Sequence, residues 1–125
     1  MYNINRQPVH KVKSPIYIAK RTGFVQDEYL NQTETFDEPV RYYLNVQTVS
    51  SDSEIREFGE NANSMKCISI TEKTKYLNKF NEFDRVYINT TPDGEAENGE
   101  NADYRIYSVR NQNTSILIYL KKLVK

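Results

Sequence analysis

Apolar and polar positions alternate most clearly over 40–49, VRYYLNVQTV. Val40, Tyr42, Leu44 and Val46 fall on one face of an extended chain, and Arg41, Tyr43, Asn45 and Gln47 on the other. That period of two predicts a strand with one buried face. Pro39 precedes it, a usual place for proline at a strand start. Five more strands follow from runs of β-branched and aromatic residues. They are 15–20 (PIYIAK), 65–71 (MKCISIT), 84–90 (DRVYINT), 103–109 (DYRIYSV) and 115–121 (SILIYLK). In the second of these the apolar set changes face between Cys67 and Ile68, which predicts a bulge or burial on both sides. The last two flank Arg110-Asn111-Gln112-Asn113-Thr114, whose asparagines suit a tight hairpin turn. In SILIYL, Ile116, Ile118 and Leu120 would fill a core. Leu117 and Tyr119 would then meet a helix of the same chain or another subunit; a central strand covered on both sides is the commoner arrangement.

Helix signals are few. Ser50 or Ser51 can cap a short helix at 52–58, with Glu54 in its first turn and Gly59 at its end. Tyr76 and Phe80 stand four residues apart in 73–82, which allows one or two helical turns. The stretches 50–63 and 91–102 are polar, and the latter (TPDGEAENGENA) reads as an exposed hairpin loop. The pattern predicts an all-β fold, a small barrel or sandwich of about six short antiparallel strands with long loops and at most one short helix. A chain of 125 residues fits a single domain, 1–125, with 1–14 as an extended arm.

Charge changes the picture. The formal net charge is zero, but residues 1–21 carry five bases and no acid, and residues 104–125 carry five bases and no acid. All seventeen acids lie between, against seven bases. Solvated faces can differ this way by chance. The sharper reading is that basic ends meet acidic bodies of neighbouring subunits or another acidic surface. A nucleic-acid-binding domain would be basic overall, and this one is not. No apolar run approaches the length of a membrane span, and the N-terminal sequence has no apolar stretch of a signal peptide. Cys67 is the one cysteine, so no internal disulfide forms, and a cytoplasmic origin fits.

Candidate chemistry is sparse. His10 and Cys67 are the one histidine and the one cysteine, and a cysteine in an apolar strand reads as an inert core residue. No metal-ligand spacing, phosphate-binding glycine loop or cofactor motif is present, so neither catalysis, metal nor cofactor is expected. Tyr104, Tyr107 and Tyr119 sit on neighbouring strands with Arg105 and Arg110. That set suits stacking on single-stranded nucleic acid or, better at zero net charge, a protein interface.

The order of EPVRYYLNVQTVSS, SDSEIREFGENANSMKCISIT with its E-x-x-x-F-G pattern, FDRVYI, ADYRIYSV and SILIYLKKL resembles the head-closure, or stopper, proteins in the neck of long-tailed bacteriophages. The resemblance covers roughly 15–123 and implies a small β-barrel that assembles as a homo-oligomeric ring, dodecameric, below the portal and adaptor. Such a ring closes the channel over packaged double-stranded DNA, without sequence-specific binding, and docks the tail. It implies a virion protein assembled in the host cytoplasm, with no membrane partner. A tail terminator or tail-completion protein is a close sibling. The acidic loop holding Asp93, Gly94, Glu95, Glu97 and Glu100, or the segment 50–63, would be the channel plug. Arg6, Lys11, Lys13, Arg105, Tyr107, Arg110, Tyr119, Lys121 and Lys122 would face ring neighbours or the adjoining rings.

Overall fold

A computed structural model describes residues 13–92 and 101–123. In chain order the elements are β1 (Ser14–Ala19), β2 (Arg21–Gln26), β3 (Gln32–Phe36), β4 (Val40–Thr48), α1 (Asp52–Phe58), a 3-10 helix (Gly59–Ser64), β5 (Met65–Ile70), α2 (Lys73–Tyr76), β6 (Arg85–Tyr87), β7 (Tyr104–Asn111) and β8 (Ile116–Lys122). Six strands close an antiparallel barrel in the order β1-β4-β5-β8-β7-β6, and β6 pairs back onto β1. Closure leaves no free edge in the barrel. The remaining two strands, β2 and β3, form a separate hairpin between β1 and β4.

Alternation puts Ile16 and Ile18 of β1, Ile68 and Ile70 of β5, Ile106 of β7, and Ile118 and Leu120 of β8 into one core. Tyr76 and Phe80 stack at 5.9 Å, with Tyr42 edge-on at 5.3 Å from Phe80, and close the core's periphery. α2 is therefore a single helical turn that delivers Tyr76.

β5 pairs with β4 and β8 without a register shift, so Cys67 and Ile68 mark burial on both faces, with no bulge. Ile68 fills the barrel, and Met65 and Cys67 pack outside it with Val49, Ala62, Tyr119, Phe58 and Leu117. The cover over Leu117 and Tyr119 is thus α1 and its 3-10 extension. Ser51 caps α1: its Oγ accepts from Glu54 N and Glu54 Oε1 accepts from Ser51 N, both at 3.2 Å. Gly59 ends it with φ 60°.

Several expectations are corrected. Ser14 belongs to β1 and not to an arm. The strand expected over 84–90 is only Arg85–Tyr87. Just before it, Asp84 accepts from Ile106 N through its carbonyl and from Arg21 N and Asn81 N through its carboxylate. In β4, Val40 is exposed, since it lies at the strand's start beside the hairpin, while Asn45 on the other face is buried and accepts from Gln47 Nε2.

The β2–β3 hairpin was not predicted. Its base is fixed to the barrel by Arg21 N donating to Asp84 Oδ1 and Asp37 N donating to Lys20 O, both at 2.8 Å. A bulge at Thr22 is followed by Gly23 at φ 151°. At the far end Asp27 Oδ1 accepts from Tyr29 N at 2.8 Å and Asn31 N at 2.9 Å, and Leu30 is left-handed at φ 67°. Five residue steps put this tip about 17 Å from the base.

Candidate functional site

The functional candidate is the outer face of β6, β7 and β8. A bulge in β7 builds it. Ile106 pairs with Leu120, but Ser108 pairs with Tyr119, so Tyr107 is an extra residue in the strand. Tyr104 and Ile106 point into the barrel before the bulge and Val109 joins that core after it. Arg105, Tyr107 and Arg110 are left on the outside.

Register aligns three cations across this face. Arg85 of β6 is opposite Arg105 of β7, which is opposite Lys121 of β8. Like charges directly opposite one another destabilise a sheet unless an anion intervenes. Arg85 has one: Glu34 of the hairpin bonds Arg85 at 3.2 Å and Arg21 at 2.8 Å. Among the described residues, Arg105 and Lys121 have no carboxylate partner.

Aromatic rings lie between the cations. Arg85 stacks over Phe36 at 5.0 Å. Phe83 lies between Arg21 at 5.9 Å and Arg105 at 5.3 Å. Tyr107 lies between Arg105 at 5.8 Å and Lys121 at 5.7 Å. Phe83 is 48% exposed and Tyr107 38%, so both rings and their cations are open to a partner.

Arg110 and Tyr119, expected in the same interface, engage α1 of their own chain. Tyr119 is buried and its Oη donates to Glu54 Oε2 at 2.7 Å. Arg110 makes a two-pronged ion pair with Glu57, with Nη1 to Oε1 at 2.9 Å, and stacks over Tyr119 and Phe58. Burial alone would push Glu54 up, but hydrogen bonds from Tyr119 and Ser51 bring it below its ordinary value. The Arg110 hydrogen bond likewise holds Glu57 down. A cleft of about 430 Å³ beside α1 is lined by these already paired groups, with Gln47, Ser69 and Cys67. Burial pushes the Cys67 thiol up to about 12, so its nucleophilic thiolate is disfavoured.

The nucleic-acid platform loses two of its three tyrosines to the interior, since Tyr104 is buried in the core and Tyr119 beneath α1. Of the remaining interface candidates, Lys122 is exposed at the end of β8, and Lys13 pairs with Glu72 at 3.4 Å. Arg6, His10 and Lys11 lie outside the described residues, as do Asp93, Gly94, Glu95, Glu97 and Glu100. The other plug candidate, 50–63, contains α1 and most of its 3-10 extension and is folded against the barrel. Among the described residues no group of three or more His, Cys, Asp and Glu could hold a metal ion, and no helix is long and apolar enough to cross a membrane. Phe83, Arg85, Arg21 and the hairpin itself were missed. Phe83 follows polar residues and sits at φ 75°, in a turn that no apolar period reveals.

No family model and no curated protein matches this chain. Among solved structures it is similar to protein SF1141 from Shigella flexneri 2a, with a TM-score of 0.60 and 19% identity over 91% of this chain and 95% of that one. At that identity the likeness speaks to the fold alone.

Proposed function

We propose that this chain is a structural protein of the neck of long-tailed bacteriophages. Copies form a ring, dodecameric in this reading, below the portal and adaptor; the ring closes the DNA channel and docks the tail. The row Arg85–Arg105–Lys121 is the observation that carries the reading. Three register-aligned cations, two without a carboxylate among the described residues, are unfavourable on an isolated barrel and favourable once an acidic surface covers them. A face of this kind suits subunit assembly better than catalysis, and the resemblance noted above supplies the setting. Asp93, Gly94, Glu95, Glu97 and Glu100 serve as the channel plug in this reading, because carboxylates do not grip phosphate. In the same reading the basic terminal segments, with Arg6, Lys11, Lys13 and Lys122, are the complement of an acidic adaptor or tail ring.

The test is a nonsense mutation in the gene within its phage, with the lysate imaged by electron microscopy. The expected result is heads that have lost their DNA beside finished, unattached tails. Full heads beside tails with defective ends would overturn head closure and make the protein a tail terminator. Normal infectious particles would overturn the neck reading altogether.

A further inference from the structure

We infer that the β2–β3 hairpin of one copy docks tip-first on the face formed by Phe83, Arg105, Tyr107 and Lys121 of a second copy. The inference gives the proposed ring its subunit contact, and rests on that reading only for the ring's biological setting.

Charge is the first argument. Residues 22–40, which include most of the hairpin, carry five acids and no base, and residues 104–125, which include β7 and β8, carry five bases and no acid. Within one copy the β2–β3 hairpin meets the edge of this face at its base, where Glu34 bridges Arg21 and Arg85 and Arg21 lies over Phe83. Among the described residues, Asp27 and Glu28 at the tip have no cationic partner, and Arg105 and Lys121 on the face have no anionic one.

Apolar surface is the second argument. Phe24, Val25, Tyr29 and Leu30 are 53%, 59%, 75% and 75% exposed, so the hairpin presents apolar side chains at its turn and on each face of β2 beside it. The tip is also held in one shape. Asp27 ties down the Tyr29 and Asn31 amides, and Leu30 is kept in a left-handed conformation that leucine rarely adopts. An ordered tip loses little conformational entropy on docking. The face offers matching chemistry: two exposed rings, Phe83 and Tyr107, each flanked by cations.

The geometry makes this contact heterologous, since tip and face are different surfaces of one chain. Repeated around an axis, such a contact closes into a ring when its rotation divides a full turn, as the proposed ring requires. A hairpin tip covers less than a standard interface, so one contact is weak and ring closure supplies the avidity.

The test uses two charge-reversed versions of the full chain. Glu28→Lys/Gln32→Lys makes the tip basic and leaves Asp27 in place. Arg105→Glu/Lys121→Glu makes the face acidic. Nitrogen-15 spectra of the native chain, followed by dilution from about 1 mM, should shift at residues 24–32 and at Phe83, Arg105, Tyr107 and Lys121. Each variant alone should associate at least about tenfold more weakly, because like charges then face each other. An equimolar mixture of the two should regain association, since the tip of each now complements the face of the other. All changed positions are exposed or half-buried, and preserved spectral dispersion shows that each variant is folded. Tyr29→Ser/Leu30→Ser should weaken association without changing charge. The absence of dilution shifts, shifts confined to other surfaces, or a mixture no stronger than its components would each overturn the contact. These outcomes are separate from the lysate phenotype. If the nonsense mutant gives heads that lose DNA while the native chain shows none of these shifts, the neck reading stands and the contact is rejected.

Discussion

Tyr119 Oη donates to Glu54 Oε2 at 2.7 Å, and this bond joins the middle of β8 to the first turn of α1. It explains why a seven-residue helix, too short to persist alone, is held in place. Tyr119→Phe should cost about 1 to 2 kcal/mol in urea unfolding at neutral pH. Glu54 is lowered in the folded state, so its contribution is present above its unfolded value of 4.5 and is lost as pH falls through the lower folded value. In Tyr119→Phe that acid-side loss should shrink. An acid limb of unchanged slope would show that the bond does not tune Glu54.

Asp84 has the opposite sign. It is 1% exposed, and burial raises its carboxyl above 3.8 despite the Arg21 and Asn81 amides that donate to it. The folded state therefore keeps this proton after the unfolded chain has released it. Stability contributed by the protonated form is present below 3.8 and declines as pH climbs through the raised value. Asp84→Ala strands two amides and should cost about 2 to 4 kcal/mol by thermal unfolding near neutral pH. It should also remove this term from the pH profile.

Leu30 pairs a left-handed backbone with a side chain open to solvent. Glycine relieves the strain but adds freedom to the unfolded chain. Leu30→Gly should therefore leave stability unchanged or raise it by up to about 1 kcal/mol, while weakening self-association in dilution spectra. Destabilisation by more than that amount would mean that Leu30 packs against its own chain.

Burial should grade the cost of truncation. Ile118 is 0% exposed at the centre of the barrel, and Ile118→Ala should cost about 2 to 5 kcal/mol. Phe83→Ala removes an exposed ring with two cation contacts and should cost only about 0.5 to 1 kcal/mol. Chemical denaturation of the two variants side by side checks the ranking.

The barrel was legible because each of its strands has an inward face, and that face prints a period of two on the sequence. α1 was legible from its capping serine and terminal glycine. The β2–β3 hairpin was not, because strands largely wet on both faces leave no apolar period; Arg21, Glu34 and Phe36 at its base make contacts to the barrel side. Inward and outward positions on β7 and β8 divide in the same way. Arg105, Tyr107 and Lys121 face outward as alternation requires. Tyr119 does too, but whether α1 or a partner would cover it depended on a docking between distant segments that no local pattern encodes.

The insertion point of the hairpin has a consequence for the protein's history. β1 and β4 are barrel neighbours, with Ile18 opposite Val40, and the chain between them leaves and returns across the Lys20–Asp37 hydrogen bond. A two-residue turn could make that connection. The segment from Thr22 to Thr33 is then a cassette, replaceable in length and sequence while the barrel's hydrogen bonds and the base contacts of Arg21, Glu34 and Phe36 stay in place. Selection can redesign this projecting surface without renegotiating how the barrel folds.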